Sequence, residues 1–521
     1  MSVEPPAWVR DAVFYQVFPD RFARSGRVPM PGPLEPWDAP PTVHGFKGGD
    51  LYGIADRLPD LRALGVTALY LTPIFASAAN HRYHTYDYLA VDPLLGGDAA
   101  LRELLDTAHD RGMRVILDGV FNHTGRGFWA FHHVLENDGA SPYRRWFIFD
   151  QAALDQGRPV NAYPLAHLRS SDDREAPWPK VAGGTGDSLA ALGYRGWWDM
   201  PALPKLNLGE PEVRDLLWRV AEHWIRFGAD GWRLDVPGEI QDPPFWAEFR
   251  RRVRAANPEA YIVGEIWDVA PDWTSNERFD ALMNYPLAEA ILGFVGGASL
   301  NEPLLRSHNE YALTRRLDGP GFAGRLDELL DAYDPDVTAV QLNLLGSHDT
   351  PRLASLLGGD GDAIRLAVLL QATLPGAPCI YYGDEIGLLG GLEPESRGGF
   401  PWDGAHWDHG LLDFVRAAFA VRNTEPLLRH GELEVLASGD QALAFERRAA
   451  GEPAPSLVVV VNAGSAPATL DVGGPVRSEP GPEIVALPGL APPLIEVGHD
   501  GQLRLQVGPR SGTIIRVHAG A

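Results

Sequence analysis

The feature that most constrains the fold is a repeated alternation between short apolar runs and amphipathic helix patterns. The runs are almost continuously apolar, as expected for parallel strands that are covered on both faces. Helix patterns lie between them, for example at residues 98–112, 210–228 and 362–375. The eight predicted strands are residues 12–19, 66–74, 113–121, 229–236, 260–267, 279–286, 338–349 and 376–387. This alternation predicts an α/β fold, a closed parallel (β/α)8 TIM barrel.

Two parts of the chain depart from the alternation and predict separate domains. A segment rich in Gly, Pro, Trp and Asp follows Phe121 and is far too long for an ordinary barrel loop. The last part alternates or runs apolar without helix patterns, which is typical of an antiparallel β-sandwich. We therefore expect the barrel in residues 1–121 and 208–428, an inserted domain B after strand three in residues 122–207, and a C-terminal β-sandwich in residues 429–521.

Charge and cysteine content exclude several functions. The formal net charge of −24 disfavours nucleic acid and anionic membranes as partners, because both are bound by clustered basic residues. Cys379 is the only cysteine, so an internal disulfide and a cysteine-rich metal site are excluded. The first residues lack a basic region followed by an apolar stretch, and no long uninterrupted apolar run occurs. We expect a cytoplasmic monomer or homodimer without a membrane span.

Charged residues gather where the predicted strands end. These residues are Asp118, Arg233, Asp235, Glu265, His348 and Asp349. Because the carboxyl ends of barrel strands meet on one rim, their side chains should converge there. Each residue alone could form a structural ion pair, but a cluster of like charges lowers stability unless a site uses it.

Two chemistries use such a carboxylate cluster. Glycoside hydrolysis needs one carboxyl group as acid and another as nucleophile or base, whereas divalent metals take carboxylates as ligands. Arg233 favours the hydrolase, because a cation two residues from Asp235 keeps that carboxylate ionised and disfavours an added dication. The stretch "DRFARSGRV" lacks the oxygen-rich pattern of a calcium loop, so we expect no cofactor and keep Ca²⁺ as the alternative. No signature of a serine hydrolase, zinc protease or P-loop protein occurs.

Four ordered motifs resemble the signature regions of the α-amylase family, glycoside hydrolase family 13. They are "DGVFNH" (118–123), "GWRLDVPGE" (231–239), "VGEIW" (263–267) and "NLLGSHD" (343–349). Similar stretches such as "DAVFYQVFPDRF" and "PGAPCIYYGDEIGLLGG" extend the resemblance over about residues 10–430. "MPALPKLN" and "EIWDVAPDW" are most similar to the group of neopullulanases, cyclomaltodextrinases and maltogenic amylases.

The resemblance implies roles for the carboxylates. Asp235 would be the nucleophile, which Arg233 keeps ionised and oriented. Glu265 would protonate the leaving oxygen and later act as the base for water. Asp349 would be the third carboxylate and would bind sugar hydroxyls as the ring flattens.

Substrate contacts also follow from the resemblance. Tyr83 would stack under the sugar at the cleavage point, and His123 and His348 would donate hydrogen bonds to the same sugar. Glu239 and Trp267 would be further substrate contacts. The supporting positions behind the site would be Asp118, Asn122 and Asp87.

The function implied is a retaining α-glucan hydrolase that cleaves α-1,4 and also α-1,6 bonds of maltodextrins, cyclodextrins or pullulan, with some transglycosylation. Pro237-Gly238 replaces the Ala-Asn that is usual in the group, and the barrel pattern begins where the group usually has an extra N-terminal β-domain. Both departures leave substrate size and dimerisation open. The alternatives are an α-glucosidase or glucanotransferase on short malto-oligosaccharides, and a non-catalytic glucan-binding or transporter-partner subunit.

Overall fold

The computed structural model of the protein describes residues 4–158, 160–164, 188–307, 314–451, 455–473, 481–498 and 502–518. The strands in these ranges are β1 (Phe14–Val17), β2 (Ala68–Leu71), β3 (Phe75–Ser77), β4 (Thr85–Val91), β5 (Arg114–Gly119), β6 (Gly231–Leu234), β7 (Tyr261–Gly264), β8 (Ala281–Leu282), β9 (Leu342–Leu344), β10 (Ala377–Tyr381), β11 (Glu432–Gly439), β12 (Ala442–Arg448), β13 (Ser456–Asn462), β14 (Ala468–Val472), β15 (Glu483–Val485), β16 (Leu494–Val497), β17 (Leu503–Val507) and β18 (Ser511–Val517). The α-helices are α1 (Pro19–Phe22), α2 (Leu51–Leu64), α3 (Gly97–His109), α4 (Trp129–Asn137), α5 (Gln151–Asp155), α6 (Ser188–Leu192), α7 (Pro211–Phe227), α8 (Pro243–Ala256), α9 (Tyr285–Val295), α10 (Glu302–Ser307), α11 (Gly319–Asp331), α12 (Pro335–Thr338), α13 (Leu353–Leu356), α14 (Gly361–Thr373), α15 (His409–Thr424) and α16 (Pro426–His430).

Eight parallel strands form the central sheet, in the order β8-β7-β6-β5-β2-β1-β10-β9. The two outer strands meet through a parallel bridge between Met283 and Leu342 and a 2.9 Å hydrogen bond from the Asn284 amide to Leu342. Nearly every residue of these strands is buried, as their continuous apolar runs indicate. The predicted (β/α)8 barrel is therefore confirmed.

The barrel strands are shorter than the apolar runs that predict them. β1 ends early because Pro19, which has no amide hydrogen for the ladder, lies at the start of α1. The predicted strand 338–349 contains only β9, and its first residue ends α12. The predicted strand 279–286 contains only β8, after which Asn284 caps α9 by accepting a 3.3 Å hydrogen bond from the Leu287 amide. Some apolar residues in these runs therefore belong to the adjoining helices.

The three helix patterns named above correspond to α3, α7 and α14, with ends that agree within three residues. Gly228 ends α7 with a φ of 121°, a conformation that residues with a side chain rarely adopt. Its amide donates a 3.1 Å hydrogen bond to the Ile225 carbonyl, and the chain then enters β6. Across the described ranges, every helix is too short or too polar to cross a membrane.

Between β5 and α7 the chain leaves the barrel for a long segment that contains α4, α5 and α6. Aromatic packing holds its described part together: Phe131 stacks on Phe149 with ring centroids 5.6 Å apart, and the Tyr194 ring meets Phe131 edge-on at 5.0 Å. An antiparallel bridge between His123 and Lys205 ties the start of the segment to its end at the barrel rim. The segment therefore forms one side of that rim.

The C-terminal part consists of two antiparallel sheets. Their strand orders are β11-β12-β13-β18-β15 and β14-β17-β16. Val458 and Val460 of one sheet and Leu470 and Leu505 of the other are buried in a shared apolar cluster. This arrangement is the expected antiparallel β-sandwich.

Candidate active site

The site lies at the carboxyl ends of the barrel strands, where Asp118 belongs to β5 and Arg233 to β6. Asp235 and Glu265 follow the ends of β6 and β7 by one residue. Their amides still donate hydrogen bonds of 3.1 and 3.0 Å to carbonyls of the preceding strand in the sheet. The strand ladder therefore fixes the backbone from which both carboxyl groups project.

Arg233 is the centre of the site and contacts three carboxylates. Its side chain is fully buried. Nη1 donates to both oxygens of Asp118 at 2.9 Å and to Asp235 Oδ1 at 3.1 Å, and Nη2 lies 2.8 Å from Glu265 Oε1. Because one cation cannot neutralise three buried anions, the cluster favours a proton on at least one carboxyl group.

Asp118 anchors Arg233 from the barrel interior. Besides the bonds from Arg233, its carboxylate accepts hydrogen bonds of 2.9 Å from the hydroxyls of Tyr70 and Tyr83. Burial raises the pKa of Asp118, although Arg233 and the two hydroxyls act in the opposite direction. Sequence analysis misses Tyr70, because within an apolar strand it cannot be told from an ordinary core residue.

The two carboxyl groups that share Arg233 differ in their other contacts. Asp235 Oδ2 is buried and has no hydrogen-bond partner among the described residues. Glu265 Oε2 accepts a 3.0 Å hydrogen bond from the Val236 amide. Burial raises the pKa of Glu265 to about 7 and the pKa of Asp235 well above its usual value, while Arg233 opposes both shifts.

Val236 holds Glu265 at the expense of backbone strain. Its φ of 35° and ψ of 50° lie in the left-handed region, which a β-branched residue disfavours. Strain of this kind persists where surrounding contacts impose it, and such positions cluster at functional sites.

Asp349, the third carboxylate of the predicted catalytic set, lies in the loop after β9 and outside the three contacts of Arg233. One oxygen is 3.1 Å from His348 Nε2, and the other accepts a 3.1 Å hydrogen bond from Arg397. Arg397 also donates a 2.8 Å hydrogen bond to the His348 carbonyl, so it fixes two successive residues of the motif. Sequence analysis misses Arg397, because a single arginine in "PESRGG" carries no periodic or motif signal.

Tyr83 lies against His348, with parallel rings 5.3 Å apart and the hydroxyl 2.6 Å from Nε2. Gln16 on β1 donates a 2.8 Å hydrogen bond to Nδ1 of the same ring. Burial lowers the pKa of His348 to about 3, so the imidazole is neutral at pH 7. The hydrogen bond from Gln16 places the imidazole proton on Nε2, which faces Tyr83 and Asp349.

His123 is also a buried, neutral imidazole, because burial lowers its pKa to about 3. Its ring stacks on Trp197 with centroids 4.8 Å apart and planes at 4°. Asn122 Nδ2 lies 3.3 Å from His123 Nδ1, which orients the ring from behind. Nε2 has no hydrogen-bond partner among the described residues.

Glu239 and Trp267 lie further out than the carboxylates. Glu239 forms a 2.6 Å ion pair with Lys205, which joins the turn after β6 to the inserted segment. Trp267 is half-buried and stacks on Tyr285, with ring centroids 3.5 Å apart. Both residues occupy the loops that follow β6 and β7.

Asp87, expected to support the site, is not brought to it. It lies on β4 in the β3–β4 hairpin, where it pairs with Ala76 and is exposed. Its carboxylate accepts a 2.8 Å hydrogen bond from the Leu89 amide. The hairpin turns alternate residues to opposite faces, which directs Asp87 to solvent and Tyr88 into the core.

No group of three or more His, Cys, Asp or Glu side chains in the described part of the chain is placed to hold a metal ion. In the loop after α1, an ammonium group occupies a cage of oxygen atoms. Lys47 is fully buried, and its Nζ donates hydrogen bonds of 2.8 and 2.7 Å to the carbonyls of Pro36 and Ala39, with Glu35 Oε2 at 3.8 Å. The carbonyl oxygens of Pro36 and Ala39 are therefore satisfied by the Lys47 ammonium group.

A parallel barrel that carries three carboxyl groups on one buried arginine, a further carboxylate beside them and two neutral imidazoles defines the class of barrel glycoside hydrolases. The family model for the α-amylase catalytic domain matches residues 16–410. The chain thus belongs to the α-amylase family, glycoside hydrolase family 13.

Known relatives support this assignment. The chain is 41% identical over 440 residues to a cyclomaltodextrinase of Geobacillus thermopakistaniensis (strain MAS1), over 84% of this chain and 66% of the relative. It is 38% identical over 439 residues to neopullulanase 2 of Thermoactinomyces vulgaris, over 84% of this chain and 67% of the relative. The chain thus spans about two thirds of the length of each of these two relatives. The crystal structure of a Nostoc punctiforme debranching enzyme superposes with a TM-score of 0.84 at 42% identity, covering 99% of this chain and 100% of that one.

Proposed function

We propose that the protein is a retaining α-glucan hydrolase. It cleaves α-1,4 bonds, and also α-1,6 bonds, of maltodextrins, cyclomaltodextrins or pullulan, and transfers some of the product to a second sugar. The observation that carries the proposal is the Arg233 guanidinium, which binds both Asp235 and Glu265. The names of the relatives, a cyclomaltodextrinase, a neopullulanase and a debranching enzyme, support the substrate class.

The retaining mechanism is supported by how the two carboxyl groups are held. Asp235 and Glu265 follow neighbouring strands, whose backbones lie about 4.8 Å apart. Their carboxyl groups contact two nitrogens of the same planar guanidinium, at 3.1 and 2.8 Å. Such a shared contact favours the separation of about 5–5.5 Å that a double displacement needs over the roughly 6.5–9.5 Å of an inverting pair.

In the first step, an oxygen of ionised Asp235 attacks the anomeric carbon and forms a glycosyl ester. As the glycosidic bond breaks, Glu265 transfers its proton to the leaving oxygen. With a pKa of about 7, Glu265 can keep its proton up to neutral pH and serve as the acid. Burial also raises the pKa of Asp235, so the ionised nucleophile depends on the contact with Arg233, which acts in the opposite direction. Arg233 Nη1 donates a 3.1 Å hydrogen bond to Asp235 Oδ1 and so favours its ionised form.

In the second step, Glu265, now ionised, removes a proton from water or from a sugar hydroxyl, which attacks the ester from the same face. Asp349, held by Arg397 and His348, would bind hydroxyls of the flattened ring. His348 and His123 are neutral and add no charge to the site. His123 Nε2 has no hydrogen-bond partner among the described residues and can donate to a sugar hydroxyl, whereas the N–H of His348 would be shared between Tyr83, Asp349 and the sugar.

Sugar units beyond the cleavage point would meet the outer residues. The half-buried Trp267, stacked on Tyr285, offers an aromatic face, and the Lys205–Glu239 pair offers hydrogen-bonding groups. Together they support a cleft that binds a chain of sugars.

We further propose that the enzyme acts in the cytoplasm as a monomer or homodimer. Its single, buried cysteine supports a reducing compartment, because an extracellular enzyme of this size could use disulfides.

The test is chromatography of products from maltotriose, β-cyclodextrin, pullulan and soluble starch. We expect maltose or panose-type products from at least one polymer or cyclic substrate. Release of glucose alone from chain ends would instead indicate an α-glucosidase. Failure to convert all four would contradict the hydrolase and favour a binding protein.

A further inference from the structure

We propose that Arg82 is a positioning residue that holds Tyr83 in the catalytic cluster; this inference rests on the function proposed above. Arg82 precedes Tyr83 in the loop between β3 and β4, and its side chain is 1% exposed. Within the described residues, Arg82 forms no hydrogen bond or ion pair with the three carboxylates around Arg233, which are Asp118, Asp235 and Glu265. Its effect on the reaction would therefore pass through Tyr83.

Arg82 clamps two separate segments of the barrel rim. Its Nε donates a 3.0 Å hydrogen bond to Asp92, directly after β4, and Nη1 lies 3.6 Å from Asp20 in α1. Nη1 also donates to the Asn80 carbonyl within the same loop. Asp20 and Asp92 are themselves buried, so removing the guanidinium would leave two buried carboxylates without this cation.

The clamp imposes an unusual backbone conformation. Arg82 has a φ of 62°, in the left-handed region that residues other than glycine rarely adopt. The turn sends consecutive side chains in different directions: Arg82 toward Asp92, and Tyr83 toward Asp118 and His348. Buried ion pairs hold a non-glycine residue in this conformation. Backbone strain that surrounding contacts maintain in this way clusters at functional sites.

Tyr83 passes this placement to the reacting groups. Its hydroxyl donates a 2.9 Å hydrogen bond to Asp118, the carboxylate that anchors Arg233, and lies 2.6 Å from His348. A small displacement of Tyr83 would therefore disturb both the surface beneath the sugar and the anchor of the arginine.

The experiment compares Arg82→Met, Arg82→Gly and Arg82→Lys with the wild type in maltotriose hydrolysis. Met removes the charge but keeps the length, and Gly removes the charge while relaxing the positive φ. We expect both to lower kcat/KM about 100-fold, mainly through kcat, because misplacing a group by about 1 Å costs that much. Lys, which keeps a charge for Asp92, should recover part of the rate.

A matched control separates positioning from general destabilisation. Arg510 in the sandwich also has a positive φ, 48°, and also pairs with an aspartate, Asp360, while donating a 2.9 Å hydrogen bond to the Ala463 carbonyl. Arg510→Gly should lower the Tm but leave kcat and KM within about twofold of the wild type. Among the residues that the structure describes, Arg510 shares no partner with Tyr83 or the carboxylates, and substitutions at sites without shared partners act independently.

The deciding measurement is a double-mutant cycle of Arg82→Gly with Tyr83→Ala. If Arg82 acts through Tyr83, the double variant should be no slower than Tyr83→Ala alone, within about twofold. Losses that multiply, or Arg82 variants that change only Tm, would overturn the inference.

A crystal structure of Arg82→Met tests the same inference without activity. We expect the Tyr83 hydroxyl to leave hydrogen-bond distance of Asp118; a hydroxyl that stays in place would overturn the inference. If the wild type does not hydrolyse maltotriose or the polymers, the proposed function fails, and this structure still decides whether Arg82 positions Tyr83.

Discussion

Two fully buried arginines are held in opposite ways in two regions of the molecule. On the barrel rim, Arg233 contacts three carboxylates. On α15, at the opposite side of the barrel near α16, Arg422 donates hydrogen bonds to backbone carbonyls, including those of Ala372 at 3.0 Å and Leu428 at 3.3 Å. Within the described chain, no carboxylate forms an ion pair with Arg422.

The two arginines also differ in the direction in which their surroundings shift the pKa. Burial lowers the pKa of Arg422 to about 9, whereas the carboxylates raise the pKa of Arg233. Around Arg422 the burial of the charge has a cost, as the lowered pKa shows, and backbone carbonyls of adjoining segments compensate it, so the residue serves to connect these segments. Around Arg233 there are more anions than one cation can balance, which costs stability and favours a proton on at least one of the carboxyl groups.

The largest expected effect is on the rim. Asp235→Asn and Glu265→Gln should each lower kcat by about 1,000-fold or more, because they remove the proposed nucleophile and the proposed acid. Their free energy of unfolding at pH 7 should be unchanged or higher, since each relieves like-charge repulsion. Maltotriose kinetics and urea denaturation measure both quantities. A folded variant that keeps more than a few per cent of the wild-type activity would contradict the role proposed for the substituted residue.

The second effect is on the pH dependence of the rim. As the proposed acid, Glu265 would have to be protonated in the first step, and its pKa is raised to about 7. We therefore expect kcat/KM to fall about tenfold per pH unit above about pH 7. Rates on maltotriose from pH 5 to 9 measure this. A profile that stays level up to pH 9 would show that Glu265 is not the acid.

The third effect is on the stability of the α15 region. Arg422→Met should lower the free energy of unfolding by about 3 kcal/mol, because several buried carbonyls lose their donor. The folded variant should keep the wild-type kcat and the same pH profile. Arg416→Met is the matched control: Arg416 lies on the same helix, is exposed and pairs with Asp413, so its loss should cost less than about 1 kcal/mol. Equal losses for the two variants would contradict the account.

The smallest effect concerns metal. Because Lys47 satisfies the carbonyl oxygens of Pro36 and Ala39 in the loop after α1, prolonged EDTA treatment should change activity by less than about a tenth. Loss of activity that Ca²⁺ restores would show ligands that the described residues do not reveal.

The sequence predicts the barrel and the convergence of charged strand ends, because strand order and parallel direction alone place Asp118, Arg233 and Glu265 on one rim. It does not predict contacts between residues that are far apart in the chain. Arg397 reaches Asp349 only through the loop after β10, and nothing in its local sequence indicates this. Asp87 shows the reverse case: a motif position whose side chain the hairpin pairing turns outward.

The apolar runs also predict strands that are longer than those of the structure, for a related reason. Apolar residues continue from a buried strand into a buried helix, so hydrophobicity alone does not mark the boundary. Pro19 and Asn284 mark it instead, one by lacking an amide hydrogen and the other by capping a helix. The catalytic roles of the site residues stay predictions.

The most direct test of the central claim, that Asp235 attacks the sugar while Glu265 donates the proton, is the stereochemistry of hydrolysis. Proton NMR recorded in the first minutes of maltotriose or starch hydrolysis should show the α-anomer of the new reducing end before mutarotation forms the β-anomer. Two successive displacements at the anomeric carbon, each with inversion, retain the α-configuration of the substrate. Appearance of the β-anomer first would contradict the assignment of Asp235 as the nucleophile and the double displacement with it.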